Sequence, residues 1–513
     1  MMSPVELSLF ASRLEAVCDE MGGVLRNAAF SPNIRDRLDF SCAVFDDGGQ
    51  ICAQAAHIPV HLGSMAFAIG DVVSRVAWAP GDMVVFNDPF LGGTHLPDVT
   101  IVAPLFLGAD IVAFVVNRAH HADIGAQVPG SMPVSSSLDE EGLVLEPVHL
   151  VRGGEWQAEV LARIESATAD PAASRGDFAA QVSANRAGLA RLEGLVERAG
   201  RRAFGEGLGE LNDYGERLAR AVLREIPDGT WTFEDRLADD GQGPRDLPIR
   251  VRIDKRADEL LVDFSGTVAQ VRGNVNCPVA VAAAAVYYCF RCLMPRETPA
   301  CAGAFRPVRL HAPDGSLLNA RFPAAVAAGN VETSSRVVDV VLGALAQAIP
   351  DRIPAASQGT MNNLAMGSSV PERRWDYYET LGGGMGSGIA GGGLDAVQTH
   401  MTNTLNTPVE VLESRFPLVV REYGIRRHSG GSGVRRGGDG LVREFEFLSG
   451  AEVSLLTERR DHAPWGMSGG GSGQPGLNLL NGERLPPKCH RHVRPGDRLR
   501  IETPGGGGYG GSA

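Results

Sequence analysis

Residues 87–123, NDPFLGGTHLPDVTIVAPLFLGADIVAFVVNRAHHAD, decide the reading of this chain. Two apolar runs, 99–107 and 111–117, flank Gly108-Ala109-Asp110, the pattern of an antiparallel β-hairpin. If those three residues form the turn, Leu107 faces Ile111, and counting outward brings Asp98 directly opposite His120. A two-residue turn would shift that pairing by one position. Opposed side chains on such a ribbon have Cβ atoms about 4.5–5.5 Å apart, close enough to share one cation. His95 lies three residues before Asp98, and Pro97 keeps the intervening segment out of a regular strand, so a bend there folds the imidazole back toward the same point. Two histidines and a carboxylate are the ligand set of hydrolytic zinc sites, and they also suit iron or manganese. Asp39 offers a further carboxylate from a strand face of small or polar residues. Histidines near strand ends also cap loops or bond to backbone carbonyls, and spacing alone leaves both readings open.

Outward from this ribbon the periodicity alternates between helix and strand. Residues 5–25 place Leu7, Phe10, Leu14, Val17 and Met21 at helical spacing. Leu38, Phe40, Cys42 and Val44 then alternate with Asp39, Ser41 and Ala43, and Asp46-Asp47-Gly48-Gly49 turns the chain into 50–55, a second hairpin. Gly81-Asp82 introduces a strand at 83–86. Residues 175–224 read as charged helix with Leu189, Leu192, Leu195 and Val196 on one face. Strands return at 249–253 and 260–264, followed by an Ala-rich apolar helix at 279–290. After about residue 375, glycine clusters at 382–393, 430–440, 469–473 and 505–511 punctuate short strands. The tail TPGGGGYGG has no helix after it to supply a dipole for an anion nest, so a flexible or tightly turned terminus is expected. The fold class expected is multidomain α+β: a mixed metal-bearing domain over 1–225, a central α/β domain over 226–375, and a Gly-rich β domain over 376–513.

Composition removes several functions. A net charge of −13 argues against nucleic acid or an anionic membrane as the main partner. Lys255 and Lys488 are the only lysines, a bias that codon usage in a GC-rich genome explains, and neither completes a GxxxxGK[ST] loop. The chain is therefore not expected to cradle nucleotide phosphates by a P-loop. Eight cysteines are too few for a disulfide framework, and the Cys289-x-x-Cys292 pair closes the apolar stretch, which favours core packing over metal. Glu6, Arg13 and Glu15 interrupt any signal-peptide core, and the longest uncharged apolar run, 277–290, is too short to span a bilayer. A cytoplasmic protein is expected. His57 and His61 have the HxxxH spacing of helical zinc ligands, but Pro59 lies between them, so lining a site is expected of them before ligation.

The motifs SPNIRDRLDFSCAVFD (31–46), HIPVHLGSM (57–65), GDMVVFNDPFLGGTHLPDVT (81–100), NRAHHADIG (117–125), DAVQTHMTNTLNTPVEVLE (395–413), RHSGGSGVRRGGDGLVREFEF (427–447) and TPGGGGYG (503–510) together resemble the hydantoinase B/oxoprolinase family from about residue 5 to the end. The resemblance implies a divalent metal, zinc first with manganese or iron next, held by His95, Asp98 and His120, with Asp39 completing or bordering the site. It implies an A-type partner subunit of the actin-like ATPase class that binds the ATP, in a heterotetramer or larger assembly. The expected activity is ATP-dependent hydrolysis of a cyclic amide: a hydantoin, 5-oxoproline or a lactam. In that scheme the partner phosphorylates the ring carbonyl oxygen and a water activated by the cation attacks the carbon. Asp39 is the expected orienting or proton-accepting group, and His121 and Asp123 its catalytic support. A carboxylase subunit of the acetone or acetophenone type and a non-catalytic scaffold with a structural metal are the rivals. Met385 and Gln398 depart from the residues expected at those positions, which bears on substrate choice.

Overall fold

In the computed structural model, which describes residues 2–55, 58–243, 245–370 and 374–511, the quoted stretch lies at the centre of a seven-stranded antiparallel sheet. The strand order is Ile51–Gln54, Phe40–Asp46, Asp110–His120, Asp98–Leu107, Met83–Phe86, Val148–Arg152 and Glu155–Trp156. The hairpin turn is tighter than expected, with Leu107 paired to Asp110 and two residues between. That turn alone would bring Ala119 opposite Asp98. A bulge intervenes: Leu105 pairs with Ala113 and Phe106 with Ile111, so Val112 is the extra residue, and Asp98 pairs with His120.

Both faces of this sheet are buried, which is why its strands read as unbroken apolar runs. Ile101, Ala103 and Val115 pack beneath the helices Pro4–Ala28 and Pro171–Ala199. Val102, Phe114 and Val116 pack on the other side against Met65, Ile69 and Val72 of the helix Pro59–Arg75. Each of the larger side chains among them, valine and above, contributes about 1.5–3 kcal/mol by leaving water. Alternation along the strands fixes a consequence for the polar residues: Ser41, Asp98, Thr100, Arg118 and His120 share the face that meets the helix Pro59–Arg75.

Pro59 begins that helix rather than breaking it, since its missing N–H falls where no intrahelical bond is made. The helix also touches the central core, where Gly63 lies so close to Ala284 that a Cβ would stand 2.4 Å from the Ala284 Cα. The central region holds a four-stranded sheet (Val308–His311, Glu259–Asp263, Arg245–Arg256, Gly229–Asp239) under the helices Val279–Leu293 and Ser334–Leu345. Cys289 is buried in this core, and neither it nor Cys292 belongs to a metal-ligand cluster among the described residues. A single π-helical turn, Gly329–Thr333, leads into the second helix.

Two further sheets, of four and five strands, close over a core of Phe445, Phe447, Val453, Leu455, Leu499 and Ile501. The tail is neither flexible nor a tight turn, correcting the sequence expectation. Residues 503–508 are buried and thread between other glycine runs, with Gly506 N–H donating to Gly438 O (2.9 Å), Gly431 N–H to Gly506 O (2.8 Å) and Gly508 N–H to Gly471 O (2.9 Å). A Cβ on Gly506 would stand 2.1 Å from Met385 O, so the backbones pack at a separation only glycine allows. The architecture is multidomain α+β with several sheets.

A buried candidate metal centre

Asp98 opens one strand of the hairpin and His120 ends the other, with Asp98 Oδ1 3.2 Å from His120 Nδ1. The bend before Asp98 returns His95 to the same point: Asp98 N–H donates to His95 O, and His95 Nε2 stands 3.1 Å from Asp98 Oδ1. Asn87 holds this loop, donating to Leu96 O and Leu143 O and accepting from Leu145 N–H. One ligand atom from each of His95, Asp98 and His120 lies within 4.8 Å of the others, and all three residues are buried.

The two oxygens of Asp98 have different surroundings. Oδ2 takes a hydrogen bond from the Thr94 hydroxyl at 2.6 Å and from Asn330 Nδ2 at 3.2 Å, and lies 3.3 Å from His61 Nε2. Oδ1 faces the imidazoles of His95 and His120. One oxygen is anchored and the other is presented. Burial alone would raise this carboxyl, but His95, His61 and the His120 contact hold it well below the usual carboxylate range. Burial pushes His120 down, against the pull of Asp98. His95 is also penalised by burial, yet the Asp98 charge outweighs it and raises His95.

Asp39 lines the same cavity, and its backbone carbonyl accepts from His120 N–H at 2.9 Å. Its carboxylate is 3.6 Å from the Arg37 guanidinium. Arg37 donates to Tyr378 O and lies over the Tyr378 ring, which in turn stacks on His120 with centroids 4.6 Å apart. Ile58, Val60, Val331, Met361 and Met401 supply apolar walls, and the cavity they enclose measures about 20 Å³. That is room for an ion or one water, not for a substrate ring.

The donors suit a divalent ion. His120 Nε2 is buried without a hydrogen-bond partner, a costly state for an imidazole unless something else engages it, and the one polar atom facing His95 Nε2 is Asp98 Oδ1, which His120 shares. Imidazole and carboxylate together match zinc, iron or manganese.

The other expected residues divide. His61 reaches the cavity from the first turn of the helix Pro59–Arg75, with Nδ1 3.2 Å from the Ser41 hydroxyl, whereas His57 lies outside the described residues. His121 and Asp123, expected as catalytic support, are absent from the cavity lining. His121 faces the opposite side, with Nε2 2.9 Å from Gln181 Oε1 and its ring against Phe178. Asp123 accepts from Gly125 and Ala169 N–H and so ties two loops together. Gln398 supports the cavity from behind, donating to Thr380, while Met385 sits among the glycine runs. Sequence alone does not single out Thr94, Arg37 or Asn330. Thr94 stands inside the quoted stretch beside His95, but nothing around Asn330 signals that a π-helical turn delivers it.

A two-histidine, one-carboxylate cluster buried against an antiparallel sheet has the donor set of hydrolytic metalloenzymes. The chain belongs to the hydantoinase B/oxoprolinase family, whose model matches residues 3–512. It is 38% identical to an uncharacterized protein of Methanocaldococcus jannaschii over 99% of this chain and 91% of that protein. It is 38% identical to 5-oxoprolinase 1 of Arabidopsis thaliana over 99% of this chain but only 42% of the plant protein. The putative B-type subunit of a D-/L-hydantoinase from a Pseudomonas species is 31% identical, with 99% and 90% covered. Among solved structures, the ATP-dependent caprolactamase of Pseudomonas jessenii superposes with a TM-score of 0.92 at 28% identity, covering all of this chain and 91% of that one. An acetone carboxylase shares the fold, with a TM-score of 0.87 at 17% identity. No helix among the described residues is long and apolar enough to cross a membrane.

Proposed function

We propose that this chain is the metal-bearing, ring-opening subunit of an ATP-dependent cyclic amidase and acts with an A-type subunit that binds ATP. The observation that carries this reading is the convergence of His95, Asp98 and His120 on one buried point, with both imidazoles turned to Asp98 Oδ1 and His120 Nε2 left unpartnered. The 5-oxoprolinase, hydantoinase and caprolactamase relatives support the reaction class.

A cyclic amide resists hydrolysis through resonance. Phosphoryl transfer from ATP to its carbonyl oxygen, performed by the partner, removes that resonance and opens the carbon to water. The adduct expels the ring nitrogen, which leaves with a proton as the C–N bond breaks, and the acyl phosphate so formed releases phosphate to a second water. His95, Asp98 and His120 would hold a divalent ion, zinc first with manganese or iron as alternatives, and that ion would supply Lewis acidity. Thr94 and Asn330 fix Asp98 through Oδ2, so Oδ1 keeps its direction. Asp39, whose carboxylate lies 3.6 Å from the Arg37 guanidinium, accepts the proton of the attacking water. The apolar walls exclude bulk water from the activated carbonyl. Because the cavity is smaller than any ring, entry of substrate requires its walls to part. Those walls come from 58–61, 330–331 and 361–402, distant parts of the chain.

The test is to assay His95→Ala, Asp98→Asn and His120→Ala with the copurified A-type partner, ATP and a panel of hydantoins, 5-oxoproline and lactams, alongside elemental analysis. Loss of ring opening and of the metal equivalent held at the buried centre is expected. Full turnover in metal-free protein sinks the proposal. Isotopic bicarbonate in the product identifies a carboxylase instead, and full activity with an inert ion replacing the native one identifies a structural metal.

A further inference from the structure

Outside the buried centre, the strand Lys488–Val493 forms the edge of the four-stranded C-terminal sheet. His490 and His492 are two residues apart on it, so their imidazoles stand on the same face. The neighbouring strand Ala451–Leu456 places Glu452 directly across from His492 and Ser454 directly across from His490. One ligand atom from each of Glu452, His490 and His492 lies within 4.8 Å of the others. We propose that these three side chains form a second site for a divalent transition-metal cation of the zinc, nickel or copper(II) type, open to solvent and independent of the buried centre.

The ligands are held in place by their own neighbours. The Ser454 hydroxyl lies 3.0 Å from His490 Nδ1, which leaves Nε2 pointing at Glu452 Oε2, 3.3 Å away. The Ser369 hydroxyl donates to the other oxygen, Glu452 Oε1. Contacts of this kind, made to the far atom of a ligand, fix ring orientation and carboxylate direction in metal sites. The third donor sets this cluster apart from an ion pair: His492 brings its ring to 5.3 Å from that of His490, nearly perpendicular to it, and a simple His490–Glu452 pair has no use for a second imidazole there. Two nitrogens and one oxygen select cations that accept imidazole, while magnesium and calcium prefer oxygen alone. His490 and Glu452 are partly exposed and His492 is exposed, so the remaining coordination positions fall to water. A bound ion would tie the edge strand to its neighbour and stabilise the folded chain in proportion to its concentration.

The full chain, stripped with a chelator and titrated with zinc against a chromogenic competitor, tests the assignment. Asp98→Asn isolates this site from the buried one and is expected to retain one zinc equivalent, with a melting temperature that rises on adding zinc. Adding His490→Gln and His492→Gln to that background is expected to abolish both responses. Ser454→Ala, which keeps all three ligands, is expected to weaken zinc binding by about tenfold or more. The proposal is overturned if the Asp98→Asn chain binds no zinc, or if the histidine substitutions leave its stoichiometry and affinity unchanged. Neither result bears on the cyclic-amidase reading, which rests on the other cluster.

Discussion

Asp98 and His120 face each other across the open end of one β-ribbon, with Oδ1 3.2 Å from Nδ1, and every other group of the candidate centre is arranged around that pair. Replacing Asp98 with Asn removes the charge that the imidazoles of His95, His120 and His61 surround. Metal content at the buried centre is expected to fall below about one-tenth of an equivalent per chain on purification, and ring-opening activity to drop by more than about 100-fold. Elemental analysis in a His490→Gln/His492→Gln background and an assay with the proposed A-type subunit read both.

Asn330 touches Asp98 only at Oδ2, so its loss disturbs orientation more than charge. Asn330→Ala is expected to weaken metal binding about 10- to 100-fold while leaving the melting temperature of the metal-loaded protein within a few degrees of wild type. Chelator competition measures the first and a thermal scan the second. An unchanged metal affinity would remove Asn330 from the positioning role.

Chelation should separate chemistry from architecture. Stripped protein is expected to lose all ring-opening activity and to regain it with zinc, manganese or iron, the most effective ion identifying the native one. Circular dichroism is expected to change little, because the sheet carrying the cluster is packed by apolar residues on both faces.

A buried ion network outside the site contributes to acid stability. Asp235 is held at about 2: burial would raise it, but Arg459 and Arg336 outweigh that effect, with Arg459 2.6 Å from Asp235 and 2.5 Å from Asp339. A depressed carboxyl stabilises the fold above its unfolded value near 3.8, and the benefit is lost as pH falls toward 2. The contribution is about 2 kcal/mol. Urea midpoints measured from pH 5 to pH 2 are expected to fall less steeply in Asp235→Asn than in wild type, from a lower starting stability.

The glycine runs make a sharper structural prediction. Gly506→Ala would drive a methyl group to 2.1 Å from Met385 O and is expected to cost about 3 kcal/mol or to prevent folding. Gly391→Ala meets nothing within 4 Å and is expected to be tolerated. Comparable melting temperatures for the two variants would contradict this packing.

The family, the α+β class and the pairing of Asp98 with His120 were legible in the amino-acid sequence, because antiparallel pairing between neighbours in sequence needs only a turn and a count of residues. Even there a compensation was invisible: the turn is two residues long, and the Val112 bulge restores the register. His121 was misplaced because one step along the chain reverses the face a side chain meets, sending it to Gln181 and Phe178 while His120 turns to the cavity. Pro59 between His57 and His61 argues from sequence against a helix there, yet at the first position of a helix it carries His61 to Asp98. The tertiary structure alone decided that Asn330, 232 residues away, reaches Asp98, and that the glycine-rich tail is buried among its own kind. Local hydrogen bonding fixes register from sequence, whereas contacts between distant segments depend on how whole faces pack, which no single window of residues encodes.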